Sequence, residues 1–367
     1  MTLCKKEDTL GQVYTPIELI KEIYSYLTPF LKADLKVYEP GAGDLRFYDL
    51  YPYPCEYTGC EIDPPCSLPS FIKQIDFFEQ DLEEYDVIIG NPPFRVETKE
   101  PGQSPIKTKI NQKTIWPEIV KRCFNHLKPN GYLAMILPCI WLKKDNASIY
   151  DLFTKQKILY LKCYTCVESN YLFGYKCQTP CCYVILQKTT PDKTFQLYDE
   201  TQFFSFTLEK DLCIPTKHSQ LLQKSKRCFH KSLFNSCIKI PKGVPKLTVI
   251  PNPTRDYPIA TTFKKGSIYG IESKEPGMYQ NVPKVCLLQK EKPIPFLDKE
   301  GFYGIYGRDN YVFIEEPEKV NIFLSLPQVQ KIIQSFIVRM NFYEKYVFEY
   351  LPCIEEFESW YQKMITI

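Results

Sequence analysis

The chain has 367 residues, 44% of them apolar, and a formal net charge of +3 from 46 Lys and Arg against 43 Asp and Glu, enough apolar material to fill one large core or two ordinary ones. No run of about 18 apolar residues occurs, and Lys5, Lys6, Glu7 and Asp8 stand where a secretory leader needs an apolar centre, so a soluble, intracellular protein that does not enter a membrane is expected. The 16 cysteines are spread along a long chain without such a leader and read as reduced thiols, not as a disulfide framework.

In chain order, Ile20, Ile23 and Leu27 recur at three- and four-residue spacing and predict a helix over Ile17–Thr28. Short apolar runs at Leu35–Tyr38, Tyr57–Cys60, Val87–Ile89 and Tyr132–Leu137 predict buried strands, and Trp116–Leu127 a helix between the last two. Val96–Thr114, polar and with four lysines, reads as an exposed mobile loop. The alternation of strand, loop and helix predicts a doubly wound, Rossmann-like α/β fold, which binds its ligands at the carboxyl ends of the strands.

After the apolar run Cys182–Leu186 the pattern turns rich in proline and aromatics, with five prolines in Ile240–Pro258, and a boundary is expected between 1–188 and 189–367. Near the end, Val320, Phe323, Leu324, Val329, Ile332, Ile333, Phe336 and Ile337 predict a helix over Lys319–Met340 broken only at Pro327. Charge is unevenly placed: Cys213–Gly270 holds 11 basic residues against one acidic, Asp256, with Phe229, Phe234, Tyr257 and Phe263 among them. Such an excess suits either a polyanion-binding surface or a solvated basic face. Lys224, Lys226 and Arg227 are its densest group.

The chemistry concentrates at strand ends. Directly after Val87–Ile89 come Gly90, Asn91, Pro92, Pro93 and Phe94. The lone pair of an aromatic exocyclic amine is delocalised into its ring, so the nitrogen becomes nucleophilic only when acceptors draw its hydrogens out of conjugation. The Asn91 side-chain oxygen and the Pro92 carbonyl, fixed by two rigid prolines, supply two such acceptors, and Phe94 can stack on a planar substrate. No titratable base is needed, and His126, His218 and His230, the only histidines, lie elsewhere in the sequence. Upstream, Glu39, Pro40, Gly41, Ala42 and Gly43 read as a strand running into a glycine loop that lets a ligand approach the backbone. Glu61 follows the next strand, roughly 20 positions on, where such folds hold ribose hydroxyls. Asp76 and Phe77 end a third. Singly, each could be an ordinary turn or a solvated carboxylate; their joint order points to a nucleotide-like cofactor.

That order resembles the gamma class of N6-adenine DNA amino-methyltransferases, in which a cofactor motif, the catalytic motif and a target recognition domain follow one another. The resemblance covers roughly residues 11–188. It implies that S-adenosyl-L-methionine is the cofactor. Gly11 to Pro16, with Tyr14, Thr15 and Pro16, and the segment Glu39–Gly43 would then hold its methionine end. Glu61 would bind the ribose, Ile62, Asp76 and Phe77 the adenine, and Asn91–Phe94 would form the catalytic loop. Tyr171-Leu172-Phe173-Gly174 is similar to the class's motif whose aromatic residue, here Phe173, stacks on a flipped target base. Two departures stand out: Asp44 and Leu45 occupy the place of a further glycine, and Phe94 replaces the commoner Tyr.

The resemblance implies a monomeric, stand-alone enzyme that methylates adenine in double-stranded DNA, with the smaller mixed α/β second half as target recognition domain and any cognate restriction endonuclease a separate protein. It implies no metal, although Cys163, Cys166, Cys177 and Cys181 are spaced loosely like a zinc site. Protein-glutamine and RNA-guanine methyltransferases share the Asn-Pro-Pro-aromatic loop and stand as rivals, as does an inactive nucleic-acid-binding relative.

Overall fold

A computed structural model describes residues 13–98, 111–209, 211–240, 257–264, 267–273, 275–289, 293–306, 310–339 and 342–365. The chain divides into two units, Met1–Glu209 and Lys210–Ile367. In the first, α1 (Ile17–Leu27) buries Ile20, Ile23 and Leu27, the stripe its spacing foretold, together with Leu19 and Tyr24. There follow β1 (Lys36–Pro40), α2 (Arg46–Asp49), β2 (Glu56–Cys60), β3 (Ile72–Lys73), β4 (Tyr85–Gly90), β5 (Arg95–Thr98), β6 (Asn111–Thr114), α3 (Trp116–Asn125) and β7 (Leu127–Pro138). The unit closes with α4 (Ile149–Thr154), β8 (Lys157–Tyr164), α5 (Cys166–Leu172), β9 (Cys181–Gln187), β10 (Thr194–Asp199) and β11 (Gln202–Thr207).

These strands, apart from β5 and β6, make one nine-stranded sheet in the order β11-β10-β8-β9-β7-β4-β1-β2-β3. The run β3, β2, β1, β4, β7 is parallel, and β9 lies antiparallel between β7 and β8. The near-continuous apolar runs of β1, β4 and β7 are what a sheet covered on both faces requires. From β1 the chain winds outward through β2 and β3, then returns to the other side of β1 as β4. The fold is thus the Rossmann-like α/β sheet expected. Its strand order reverses between β1 and β4, where Val37 pairs with Val87 and Tyr38 with Ile88, so the loops after Pro40 and Gly90 leave the same edge side by side.

Two sequence expectations change. The hairpin of β10 and β11 continues the first sheet past Lys188, because buried Phe195 and Leu197 alternate with more exposed neighbours as a half-buried strand demands. The polar stretch expected to be a loop carries a strand pair at its ends, Arg95 opposite Thr114 through Thr98 opposite Asn111, since a backbone ladder needs no apolar pattern. Residues 99–110, on which the rest of that expectation falls, lie outside the described residues.

The second unit is mixed α/β: α6 (Ser219–Arg227), β12 (Ile238–Lys239), β13 (Tyr257–Lys264), β14 (Ser267–Ser273), β15 (Lys284–Leu288), β16 (Pro295–Asp298), β17 (Gly304–Ile305), β18 (Asn310–Phe313), α7 (Pro317–Leu324), α8 (Pro327–Gln334) and α9 (Phe357–Ile365). Its sheets are β12-β18-β15-β16 and β14-β13-β17. The helix expected over Lys319–Met340 is two helices, each with a proline in its first turn, and the second stops at Gln334. Phe336 and Val338 remain buried beyond it; the apolar spacing reported burial there, not helix. Among the described residues no helix is long and apolar enough to cross a membrane.

An ion pair lies inside this unit. Lys284 Nζ sits 2.7 Å from Asp298 Oδ2 with side chains 0% and 4% exposed, and Asp298 also accepts the amides of Phe302 at 2.8 Å and Tyr303 at 2.9 Å. Removing one member of such a pair strands a buried charge at a cost of about 3–5 kcal/mol, whereas an apolar pair of similar volume is often neutral. Asp298→Ala should therefore lower unfolding free energy in urea by about 3–5 kcal/mol, and Lys284→Met with Asp298→Leu should recover the part due to the stranded lysine charge while the Phe302 and Tyr303 amides stay unpaired. Equal losses for the two variants would show that the charges themselves carry no special penalty.

Candidate active site

At the carboxyl edge of β1 the chain turns through Gly41 and Gly43, with φ of 75° and 55°, a region that costs residues with a side chain and suits glycine. A Cβ on Gly41 would meet Pro93 Cδ at 3.7 Å and one on Gly43 the Tyr14 ring at 3.4 Å. The glycine loop therefore touches the Asn91–Phe94 loop on one side and residue 14 on the other. Ala42 N donates to the Cys60 carbonyl at 2.8 Å, tying the loop to β2. Leu45, in place of the further glycine, holds a left-handed φ of 69°. The loop keeps its turn there at the cost of strain.

Glu61, 6% exposed, accepts the Gly43 amide at 2.8 Å on one oxygen and the Asp63 amide at 3.1 Å on the other. Two backbone amides thus orient this carboxylate beside the glycine loop. Ile62 beside it is 47% exposed, unusual for its type. Asp76 accepts the Phe78 amide at 2.8 Å, and Phe77 is largely buried. Arg122 of α3 reaches across to this turn, donating to the Phe77 carbonyl at 2.9 Å and to that of Gln80, with its guanidinium 5.2 Å from the Phe77 ring centre. Tyr38 of β1 holds the Gln80 side chain at 2.9 Å.

Glu39 is 1% exposed and accepts the Tyr57 hydroxyl at 2.6 Å. Burial pushes its carboxyl well above the ordinary range; the Tyr57 bond opposes this, and the nearby charges of Glu61 and Asp44 add to it. Across from it run Val13, Tyr14 and Thr15, ahead of Pro16, the N-cap of α1. Arg46 donates to the Thr15 carbonyl at 3.0 Å and pairs with Asp44 at 2.8 Å. Asn91 donates its amide nitrogen to the Val13 carbonyl at 3.1 Å, leaving the side-chain oxygen as the acceptor end. Val13, Thr15, Glu39, Gly43, Arg46 and Asn91 line one open cleft.

Phe173 is 5% exposed and sits in the apolar cluster against which Phe94 packs. The rings exposed on that segment are Tyr171 and Tyr175, 76% and 70%. Cys166 Sγ donates to the Gln178 carbonyl and Cys181 Sγ lies 3.1 Å from Ser169 Oγ; among the described residues no group of His, Cys, Asp and Glu could hold a metal ion. In the second unit Lys224 and Lys226 are half-buried on α6 and donate to the carbonyls of Met364 at 2.9 Å and Glu349 at 3.1 Å, while Arg227 is exposed. Sequence reasoning had no signal for Arg46, Tyr57 or Arg122, whose partners Thr15, Glu39, Phe77 and Gln80 lie far along the chain.

Residues 66–167, which include the Asn91–Phe94 loop, match the family described as the Eco57I restriction-modification methylase. No curated protein matches the chain. Solved structures to which it is similar include the type I restriction enzyme EcoKI M protein (17% identity, 52% of this chain and 48% of that one, TM-score 0.38). Another is the type IIG restriction endonuclease BpuSI (10%, 86% and 55%, TM-score 0.43). A third is the N-methyltransferase NodS from Bradyrhizobium japonicum WM9 (13%, 48% and 96%, TM-score 0.29). The chain spans about half the length of the type I restriction-modification structures that it matches.

The buried Glu39 yields a pH prediction. A carboxyl whose folded pKa is raised favours the native state while protonated, so this contribution is whole below its unfolded value of about 4.3 and is lost as pH rises through the folded value. Glu39→Gln, which keeps an acceptor for Tyr57, should remove that loss. The wild-type denaturation midpoint, measured from pH 4 upward against the variant's, should fall relative to it; parallel curves would mean Glu39 titrates normally.

Proposed function

We propose that the chain is a methyltransferase of the restriction-modification kind whose family matches its residues 66–167, and that it moves a methyl group from S-adenosylmethionine to N6 of an adenine extruded from double-stranded DNA, as a stand-alone modification enzyme. The observation that carries the reading is the placing of the Asn91 carboxamide beside the glycine loop at the strand-order reversal, with Gly41 against Pro93. Position-specific DNA contacts from the second unit would supply target choice.

The residues fit this cofactor. Two left-handed glycines make a cradle that a Cβ would fill; Glu61 and the exposed Ile62 suit a ribose and a purine face, and Asp76 and Phe77 the purine edge. Tyr14, Thr15 and Pro16 with Glu39, Pro40, Gly41, Ala42 and Gly43 would hold the amino-acid end. When bound, the sulfonium supplies an electrophilic methyl carbon that needs no metal. The chain's part is positioning. The Asn91 oxygen and the Pro92 carbonyl accept the two hydrogens of the target amine, restoring its lone pair. Pro93 stiffens the loop, and Phe94 with Phe173 would flank the base. Phe173 then has to present an edge that it keeps buried in the apolar cluster. Extrusion is required because an amine inside a base pair could not reach a methyl donor held in the cleft at the strand ends.

Asn91→Ala should leave S-adenosylmethionine affinity within about threefold while lowering methyl transfer by a factor on the order of 1,000, since the side chain acts on the acceptor. Joint loss of both would mean the loop is misassigned. For DNA, the proposed contacts are Lys224, Lys226 and Arg227. Because the two lysines also satisfy backbone carbonyls, Arg227→Ala is the clean probe: it should reduce the slope of log affinity against log salt by about 0.9 without moving the thermal midpoint. An unchanged slope would remove α6 from the interface.

A further inference from the structure

The side chain that faces the target is itself held by the cofactor side of the cleft. A carboxamide has one accepting and one donating end, and only one of its two orientations offers oxygen to an incoming amine. The Val13 carbonyl can accept but not donate, so its 3.1 Å bond from Asn91 Nδ2 selects that orientation. Two residues on, the Thr15 carbonyl is held at 3.0 Å by Arg46 Nη1, while Nε of the same guanidinium lies 2.8 Å from Asp44 in the glycine loop. Below Thr15 the backbone is fixed by Pro16, at φ −59°, whose carbonyl accepts the Leu19 amide as α1 begins. Arg46, Asp44, Val13 and Asn91 all line one cleft.

We infer that Arg46 is a positioning residue for methyl transfer: its fork ties the strap 13–15 to the glycine loop, and the strap's Val13 carbonyl sets the Asn91 carboxamide toward the target amine. The inference rests on the reading of this cleft as a methyltransferase site. Its origin in fork geometry separates it from a charge effect, because lysine keeps the charge near Asp44 but cannot span two acceptors in fixed directions. A residue that merely held the cofactor would act on affinity, and one that acts through Asn91 does nothing once Asn91 is gone.

The test uses full-length protein, unmethylated PCR-amplified genomic DNA and S-adenosylmethionine labelled in its methyl group. Arg46→Ala and Arg46→Lys should both lower kcat at saturating cofactor and DNA by about tenfold or more, the scale expected when a reacting group is displaced by a fraction of an ångström to an ångström. In an Asn91→Ala background, Arg46→Lys should change the residual rate by less than about twofold, the mark of one residue acting through the other. Should Arg46→Ala not fold, Arg46→Lys decides by the same two numbers. Recovery of kcat by lysine, a rise in KM for the cofactor with kcat intact, or an equal loss in the Asn91→Ala background would each overturn the inference. Absence of label in DNA with the wild type would instead defeat the reading as a DNA methyltransferase.

Discussion

Parallel pairing of β1 with β4 is the constraint on which the site depends. The strands are distant in sequence, and their register, Val37 on Val87 and Tyr38 on Ile88, brings two loops of different chemistry to one edge. One loop is glycine-rich and suited to a close backbone approach; the other is proline-stiffened and offers acceptors. A slip of one residue would turn every side chain of β4 to the opposite face and point Asn91 away from the glycine loop. Buried Val37, Tyr38, Val87, Ile88 and Ile89 thus position the chemistry as directly as any polar group.

Around that pairing the polar residues of the site mostly hold each other. Glu61 fastens the glycine loop before any ligand is considered, Tyr57 holds Glu39, and Arg122 fixes the turn of Asp76 and Phe77. Such preorganisation is what a reaction needs when its rate comes from placing a nucleophile in line and not from proton transfer.

Much of the first unit was legible in the sequence because β4, β7 and β9 carry continuous apolar runs, and α1 and α3 carry one apolar stripe each. Several candidate residues were legible for a related reason: Glu39 to Gly43, Glu61 and Asn91 to Phe94 lie at or just after the ends of β1, β2 and β4, where a doubly wound sheet gathers its loops. What stayed hidden depends on long separations. Arg46 meets Thr15 across 31 residues, Arg122 meets Gln80 across 42, and Lys224 meets Met364 across 140. In the second unit short strands such as Ile238–Lys239 and Gly304–Ile305 carry too few residues for any period to register. Within the basic stretch, the half-buried Lys224 and Lys226 also donate to backbone carbonyls, which their spacing in the sequence does not show.

The central claim is that the acceptor is the N6 nitrogen of adenine in duplex DNA. It is tested most directly by incubating purified protein with unmethylated duplex DNA and methyl-labelled S-adenosylmethionine, digesting the DNA to nucleosides and identifying the labelled one. The account predicts a single labelled product, N6-methyl-deoxyadenosine; label on another base, or none in the DNA, would contradict it.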